Sequence, residues 1–150
     1  MRHFLLTLSI LLAAACSGGE KPRAAEFVPP AESTAEFGDL RVHYNALPTL
    51  SLNDAVAKEY GVDKDAGSAM LVVAIRHMAN GEEMGAEGEV SAEAIDLQGA
   101  RQPIAFSAVK TGDYTDHIGT FAIHARDSYR FEVTVKADGR TEKVKFQRNF

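Results

Sequence analysis

From Phe37 to the C-terminus, large apolar residues recur mainly at alternate positions, a period that predicts strands. Leu40, Val42 and Tyr44 alternate with Asp39, Arg41 and His43, the pattern of a strand with one buried face. Met70 to Ile75 is apolar on both faces, which predicts a central strand covered on each side. Val90, Ala92 and Ala94 alternate with Glu89, Ser91 and Glu93 before Ile95 and Leu97 break the phase, so a bulge near Ala94 is expected. Ile104 and Phe106, Phe121 and Ile123, and Tyr129 to Val135 follow in the same style. Separated by turn residues, these segments predict an all-β fold, an immunoglobulin-like antiparallel β-sandwich of about seven strands with one short helix.

Turn chemistry sharpens two of the pairings. Asp138-Gly139 favours a two-residue type I′ hairpin, because both central positions need positive φ. Closing that loop pairs Ala137 with Arg140, and the register then sets Val133 against Val144, Phe131 against Phe146 and Glu132 against Lys145. Apolar meets apolar and acid meets base, the agreement that fixes a register. Asn80-Gly81 as a second hairpin sets His77 opposite Met84, with Met78 on the other face. The helix is expected between Ser51 as N-cap and Gly61 as terminator, with Leu52, Val56 and Tyr60 forming one apolar stripe. A helix this short needs docking, and an edge or open end of the sandwich is the expected place.

Ahead of the domain the pattern changes. Arg2 precedes the apolar run Phe4 to Leu12, which is too short to span a bilayer and has the layout of a secretory signal peptide. Leu11-Leu12-Ala13-Ala14-Ala15 leads into Cys16, the only cysteine, and this run resembles a bacterial lipobox. The resemblance implies lipidation of Cys16 and anchoring without a transmembrane helix. Ser17 in the next position implies the outer membrane, with the domain facing the periplasm. Residues 1–15 are therefore read as signal peptide, 16–36 as a lipidated N-terminus and flexible linker, and 37–150 as the domain. The linker is rich in glycine, proline, alanine and charge, and as a coil spans on the order of 25 Å.

Charge narrows the partners. The formal net charge of −5, with no cluster of lysine or arginine, argues against nucleic acid, whose binding depends on phosphate neutralisation. The expected contacts are the membrane, through the lipid, and another envelope protein.

The run FGDLRVHYNALPTLSLNDAVAKEYGV, Phe37 to Val62, resembles the opening of the DUF4426 family of bacterial exported domains. Phe37-Gly38, Val42-His43-Tyr44-Asn45-Ala46, and Ala57 with Tyr60-Gly61-Val62 carry the match. The resemblance implies this fold and an exported protein. No established activity comes with it.

Candidate chemistry is sparse. No phosphate loop, nucleophile elbow or zinc-protease motif occurs, and no catalytic residue or cofactor is assigned. Asp116-His117 is the one acid–histidine neighbour pair, and adjacent strand residues face opposite ways. His43 and Asn45, pointing away from inward Tyr44, form one candidate binding patch. Glu87, Glu89 and Glu93, on one strand parity in a stretch without basic residues from Glu82 to Ala100, form another. The sequence is read as a tethered, non-catalytic binding or assembly module. The alternative is copper handling by the soft ligands His77 and Met84.

Overall fold

Backbone pairing turns the alternation into two antiparallel sheets. The structure is a computed structural model that describes residues 33–150. The residues read as signal peptide, Cys16 and most of those read as linker lie outside the described residues. The first sheet runs β1 (Ser33–Phe37), β2 (Leu40–Pro48), β3 (Ser68–Ala79), β8 (Tyr114–Ala122) and β7 (Phe106–Thr111), with β4 (Glu82–Gly85) paired to the end of β3. The second runs β10 (Arg140–Asn149), β9 (Ser128–Ala137), β5 (Glu89–Ile95) and β6 (Arg101–Ile104). The chain changes sheet at Ala105, between β6 and β7.

The core forms where the two inner faces meet. Leu40, Val42, Leu71, Val73 and Ile75 of the first sheet pack with Ala94, Phe131, Val133, Val135 and Val144 of the second. Phe131 is fully buried; its ring stacks on Phe146 with centroids 4.7 Å apart and meets Phe121 edge-on at 5.2 Å. Burying an aromatic ring of this size contributes roughly 1.5–3 kcal/mol, and the ring pairs add to it.

Both hairpins have the expected registers. Ala137 pairs with Arg140, Val133 with Val144, Phe131 with Phe146, and Lys145 Nζ lies 3.2 Å from Glu132 Oε1. Asp138 and Gly139 take φ of 52° and 71°, the two positive values that a type I′ turn requires. At the other hairpin Asn80 and Gly81 are also positive, and His77 pairs with Met84.

Four expectations change. Ser33 to Glu36, read as linker, pair with β2 from Tyr44 to Arg41, so the domain begins before Phe37. Among the described residues there are ten strands rather than about seven, because β1 and β4 are additional and the Ile104–Phe106 segment divides at the sheet change. No bulge occurs near Ala94, since pairing of β5 with β9 and with β6 runs unbroken through it. Ile95 is simply buried on the opposite face.

The helix is the fourth. It spans α1 (Asp54–Tyr60) and its N-cap is Asn53, whose Oδ1 accepts from Val56 N at 2.9 Å. Ser51 instead closes a 3-10 turn at Thr49–Ser51, donating to Pro48 O at 2.7 Å. Gly61 ends the helix at φ 64° as expected, with Val62 N bonding back to Ala57 O. The helix lies on the outer face of the first sheet rather than over an open end, and it reaches the β7 edge, where Thr111 Oγ1 donates to Glu59 Oε1 at 3.3 Å. Leu52, Val56, Ala57 and Tyr60 pack on Met70, Val72, Val109 and Ile118, the outward-facing apolar residues of β3, β7 and β8. Those residues need a cover, and this explains why Met70 to Ile75 is apolar on both faces.

Candidate functional site

The helix covers only one half of the first sheet's outer face. On the other half, strand parity brings polar side chains from β1, β2, β3, β4 and β8 to a common surface. Across β2 and β3, Arg41 stands directly opposite Arg76, and His43 opposite Ala74. Two like charges in cross-strand positions repel, and neighbouring carboxylates balance them. Arg41 Nη1 donates to Glu83 Oε1 at 2.8 Å and Nη2 to Glu36 Oε1 at 2.7 Å. Arg76 Nη2 donates to Asp116 Oδ1 at 2.7 Å, and the Tyr114 ring covers its guanidinium at 4.7 Å. The Tyr114 hydroxyl donates to Glu83 O at 3.2 Å, tying β8 to β4.

His43 joins this lattice through both ring nitrogens. An ionised carboxylate only accepts, so Nε2 carries a proton and donates to Glu83 Oε2 at 2.9 Å. Nδ1 lies 2.9 Å from the Thr34 hydroxyl. The Arg41 hydrogen bond, with a smaller contribution from His43, holds the Glu83 carboxyl below its ordinary range, against the opposing effect of partial burial. Glu83 in turn raises Arg41. Asn45 lies two residues further along β2, and its buried Oδ1 has no hydrogen-bond partner among the described residues. The patch is half-buried: Arg76 is 12% exposed, His43 20% and Glu83 31%. Side chains held this way are pre-organised, which lowers the ordering cost of recognising a polar partner.

The acidic candidates are arranged differently. Glu87 lies ahead of β5, and Gly88 separates it from the strand, so it does not share the strand's parity as expected. Glu89 and Glu93 do face outward from the second sheet. Basic residues from beyond the acidic run meet them there: Lys136 Nζ is 3.8 Å from Glu89 Oε2, and Arg101 Nη1 is 2.6 Å from Glu93 Oε2. The acidic run in sequence is therefore a mixed, solvated face in space.

His77 and Met84 are cross-strand neighbours, but His77 already has partners. Its Nε2 is 2.7 Å from Asp138 Oδ2 and its Nδ1 3.6 Å from Asp39 Oδ2. Arg140 Nη2 donates to Asp39 Oδ1 at 2.9 Å, which holds the Asp39 carboxyl below its ordinary range. The group links the β1–β2 turn to the β9–β10 turn and closes one end of the sandwich. Among the described residues, no three His, Cys, Asp or Glu side chains are grouped to hold a metal ion. Asp116 and His117 face opposite sides of β8, Asp116 to the lattice and His117 inward, where Nε2 meets Gly88 O at 3.2 Å.

Sequence reasoning placed His43 and Asn45 on this face and missed Arg41, Arg76, Glu83, Asp116 and Tyr114. Arg41 shares the parity of His43, and the Asn80-Gly81 hairpin places Glu83. The pairing of β2 with β3, which brings them together, has no local signal.

No curated protein matches the chain. Among solved structures, a DUF4426 family protein from Pseudomonas aeruginosa PAO1 is similar at 28% identity, covering 79% of this chain and 94% of that one, with a TM-score of 0.66. Two structures of FetP from uropathogenic Escherichia coli strain F11 share the fold at 10% identity. A copper-bound variant has a TM-score of 0.58, covering 81% of this chain and 91% of that one. The protein as isolated has a TM-score of 0.55, covering 81% and 94%. The family profile described as a domain of unknown function, DUF4426, matches residues 34–150, from the first strand to the last residue, and the chain belongs to that family.

Proposed function

We propose that this chain is a lipid-tethered, non-catalytic module that binds another envelope component through the uncovered half of its first sheet. The observation that carries the reading is the lattice of Arg41, His43, Glu83, Arg76 and Asp116. These charges sit half-buried on a sheet face that the helix stops short of covering. Mutual pairing fixes their geometry before any partner arrives, and Tyr114, 41% exposed, adds an aromatic surface beside them. The lipobox-like run ending at Cys16 supports the tether. No cofactor enters the reading, and the partner is a protein or other polar envelope component rather than nucleic acid.

The test is recovery of crosslinked partners from cells carrying the tethered protein. His43→Ala and Tyr114→Ala should each reduce recovery of a specific partner, with the melting midpoint checked separately. Glu89→Lys, on the second sheet, should leave recovery unchanged. Loss of the partner with Glu89→Lys and not with the other two variants contradicts the reading.

A second reading, copper handling, draws on the His77–Met84 register and on the likeness to copper-bound FetP. It requires His77 to leave Asp138. A competition titration with Cu(I) decides it: sub-micromolar affinity lost in both His77→Ala and Met84→Ala supports copper handling, and its absence returns the weight to the binding module.

A further inference from the structure

Among the described residues the two sheets end on four strands, with the four-residue β4 beside β3 as a further short one, and an unguarded outer strand pairs with other chains. Three of the four are guarded. β1 is short, and β10 reaches across to it: Arg140 Nη1 donates to Phe37 O at 3.2 Å and Arg148 Nη2 to Ser33 Oγ at 3.3 Å. β6 has four residues, and Pro103 removes one backbone donor. β10 is long but carries Lys143 and Lys145 on its outward face. β7 is guarded least, although the helix lies on its outer face and Glu59 Oε1 accepts from Thr111 Oγ1 at 3.3 Å. Its six residues, Phe106-Ser-Ala-Val-Lys-Thr111, contain no proline and a single charge, Lys110. It ends the first sheet, with Ser107, Ala108, Lys110 and Thr111 exposed.

We infer that the free edge of β7 pairs with β7 of a second copy of this chain, antiparallel, about a two-fold axis perpendicular to the sheet. The reason for a second copy is self-complementarity. Such an axis passes through one residue, and two registers are central to the strand. With Val109 on the axis, Ser107 faces Thr111 and Ala108 faces Lys110. With Ala108 on the axis, Ser107 faces Val109 and Phe106 faces Lys110. Neither register opposes like charges. The same operation on β10 sets Lys143 against Lys145, or a lysine against itself, and like charges directly opposite are unfavourable. The seam is the outer edge of β7, far from β1, Thr34 and Glu36 but adjoining Asp116 and Tyr114, which pair with Val109 and Thr111; it is an edge contact, goes beyond the binding face proposed above and does not depend on it.

The domain has no cysteine of its own, so introduced thiols report directly. A residue on the axis meets its own copy at a Cα separation of about 4.5–5.5 Å, within the range a disulfide spans. Ala108→Cys and Val109→Cys should be compared with Lys143→Cys in the full chain in its own envelope, with Cys16 in place and the wild type as baseline. One of the β7 variants should form a disulfide-linked dimer under mild oxidation, and Lys143→Cys should not. Independently of the thiols, the detergent-extracted wild-type chain should sediment as a dimer at high concentration. Ala108→Lys sets like charges opposed in either register, and it should raise the dissociation constant by about tenfold or more with an unchanged melting midpoint. A wild type that stays monomeric, with both cysteine variants linking no faster than Lys143→Cys, overturns the proposal.

Discussion

The outer faces of the two sheets carry the same kinds of charge and hold them differently. On the second sheet Glu89, Glu93 and Glu132 meet Lys136, Arg101 and Lys145 as exposed pairs, and solvent screens what they contribute. On the first sheet the helix on one side and β4 with Tyr114 on the other shelter the charges. There Arg41, His43 and Glu83 share hydrogen bonds, and Arg76 is held by Asp116, two backbone carbonyls and an aromatic ring. The difference lies in the shelter rather than in composition. A sheltered lattice has one arrangement and can act as a recognition surface, whereas an exposed set of pairs exchanges freely with water.

That contrast can be broken at several strengths. Phe131→Ala acts on both sheets at once, because the ring is fully buried between them beside Phe121 and Phe146. It should cost about 3–5 kcal/mol, and chemical denaturation should show both sheets unfolding in one transition. Gly139→Val acts on the β9–β10 hairpin of the second sheet and on the contacts that Asp138 and Arg140 of its turn make with His77 and Asp39 of the first. A β-branched side chain at φ 71° is strained by about 1–2 kcal/mol, and the melting midpoint should fall accordingly. The matching change at Gly81 controls only the four-residue β4, so its global effect should be smaller.

Glu83→Gln tests the shelter itself. Removing the charge that Arg41 and His43 share should cost about 1 kcal/mol at neutral pH, a value reduced for partial exposure. Glu93→Gln on the other sheet should leave the midpoint unchanged. The sign with pH follows from the lowered Glu83 pKa. Its stabilisation is present above the ordinary carboxylate value of 4.5 and is lost as pH falls from there through the folded-state pKa. Acid denaturation of the wild type should therefore be steeper below that pH than in Glu83→Gln. Asp39, lowered chiefly by Arg140, acts in the same direction, so the variant keeps part of the slope. An effect of similar size concerns the helix that provides half of the shelter. Asn53→Ala should cost about 1 kcal/mol and Ser51→Ala less, because the helix is capped from Asn53.

Much of the fold was legible from the chain, and the reason is local. The β9–β10 register follows from Asp138-Gly139 together with the alternation on either side, so turn and pattern agree within one segment. The inward Tyr44 and the central β3 follow from parity alone. The helix start was misplaced because Ser51 and Asn53 are both good caps, and the choice between them depends on the 3-10 turn at Thr49. That the helix lies across the sheet's outer face, and not only at its edge, has no local signal, because the outward apolar residues Val109 and Ile118 lie on strands far away in sequence. The same non-locality hid the candidate site. His43 and Asn45 were visible as outward polar residues, but their partners arrive through the pairing of β2 with β3 and the folding back of β4. The acidic strand shows the opposite error: Glu89 and Glu93 look unopposed in sequence until β9 and the following β6 bring Lys136 and Arg101 beside them.

The central claim is that the first sheet, not the second, presents the binding face. Its most direct test places a photo-reactive amino acid at Glu36, on the sheltered face and far from β7, or at Glu89, on the outer face of the second sheet. Each is illuminated in intact cells carrying the full chain. A partner of different mass captured from position 36 and not from position 89 is the predicted result. Capture from position 89 alone would contradict the account.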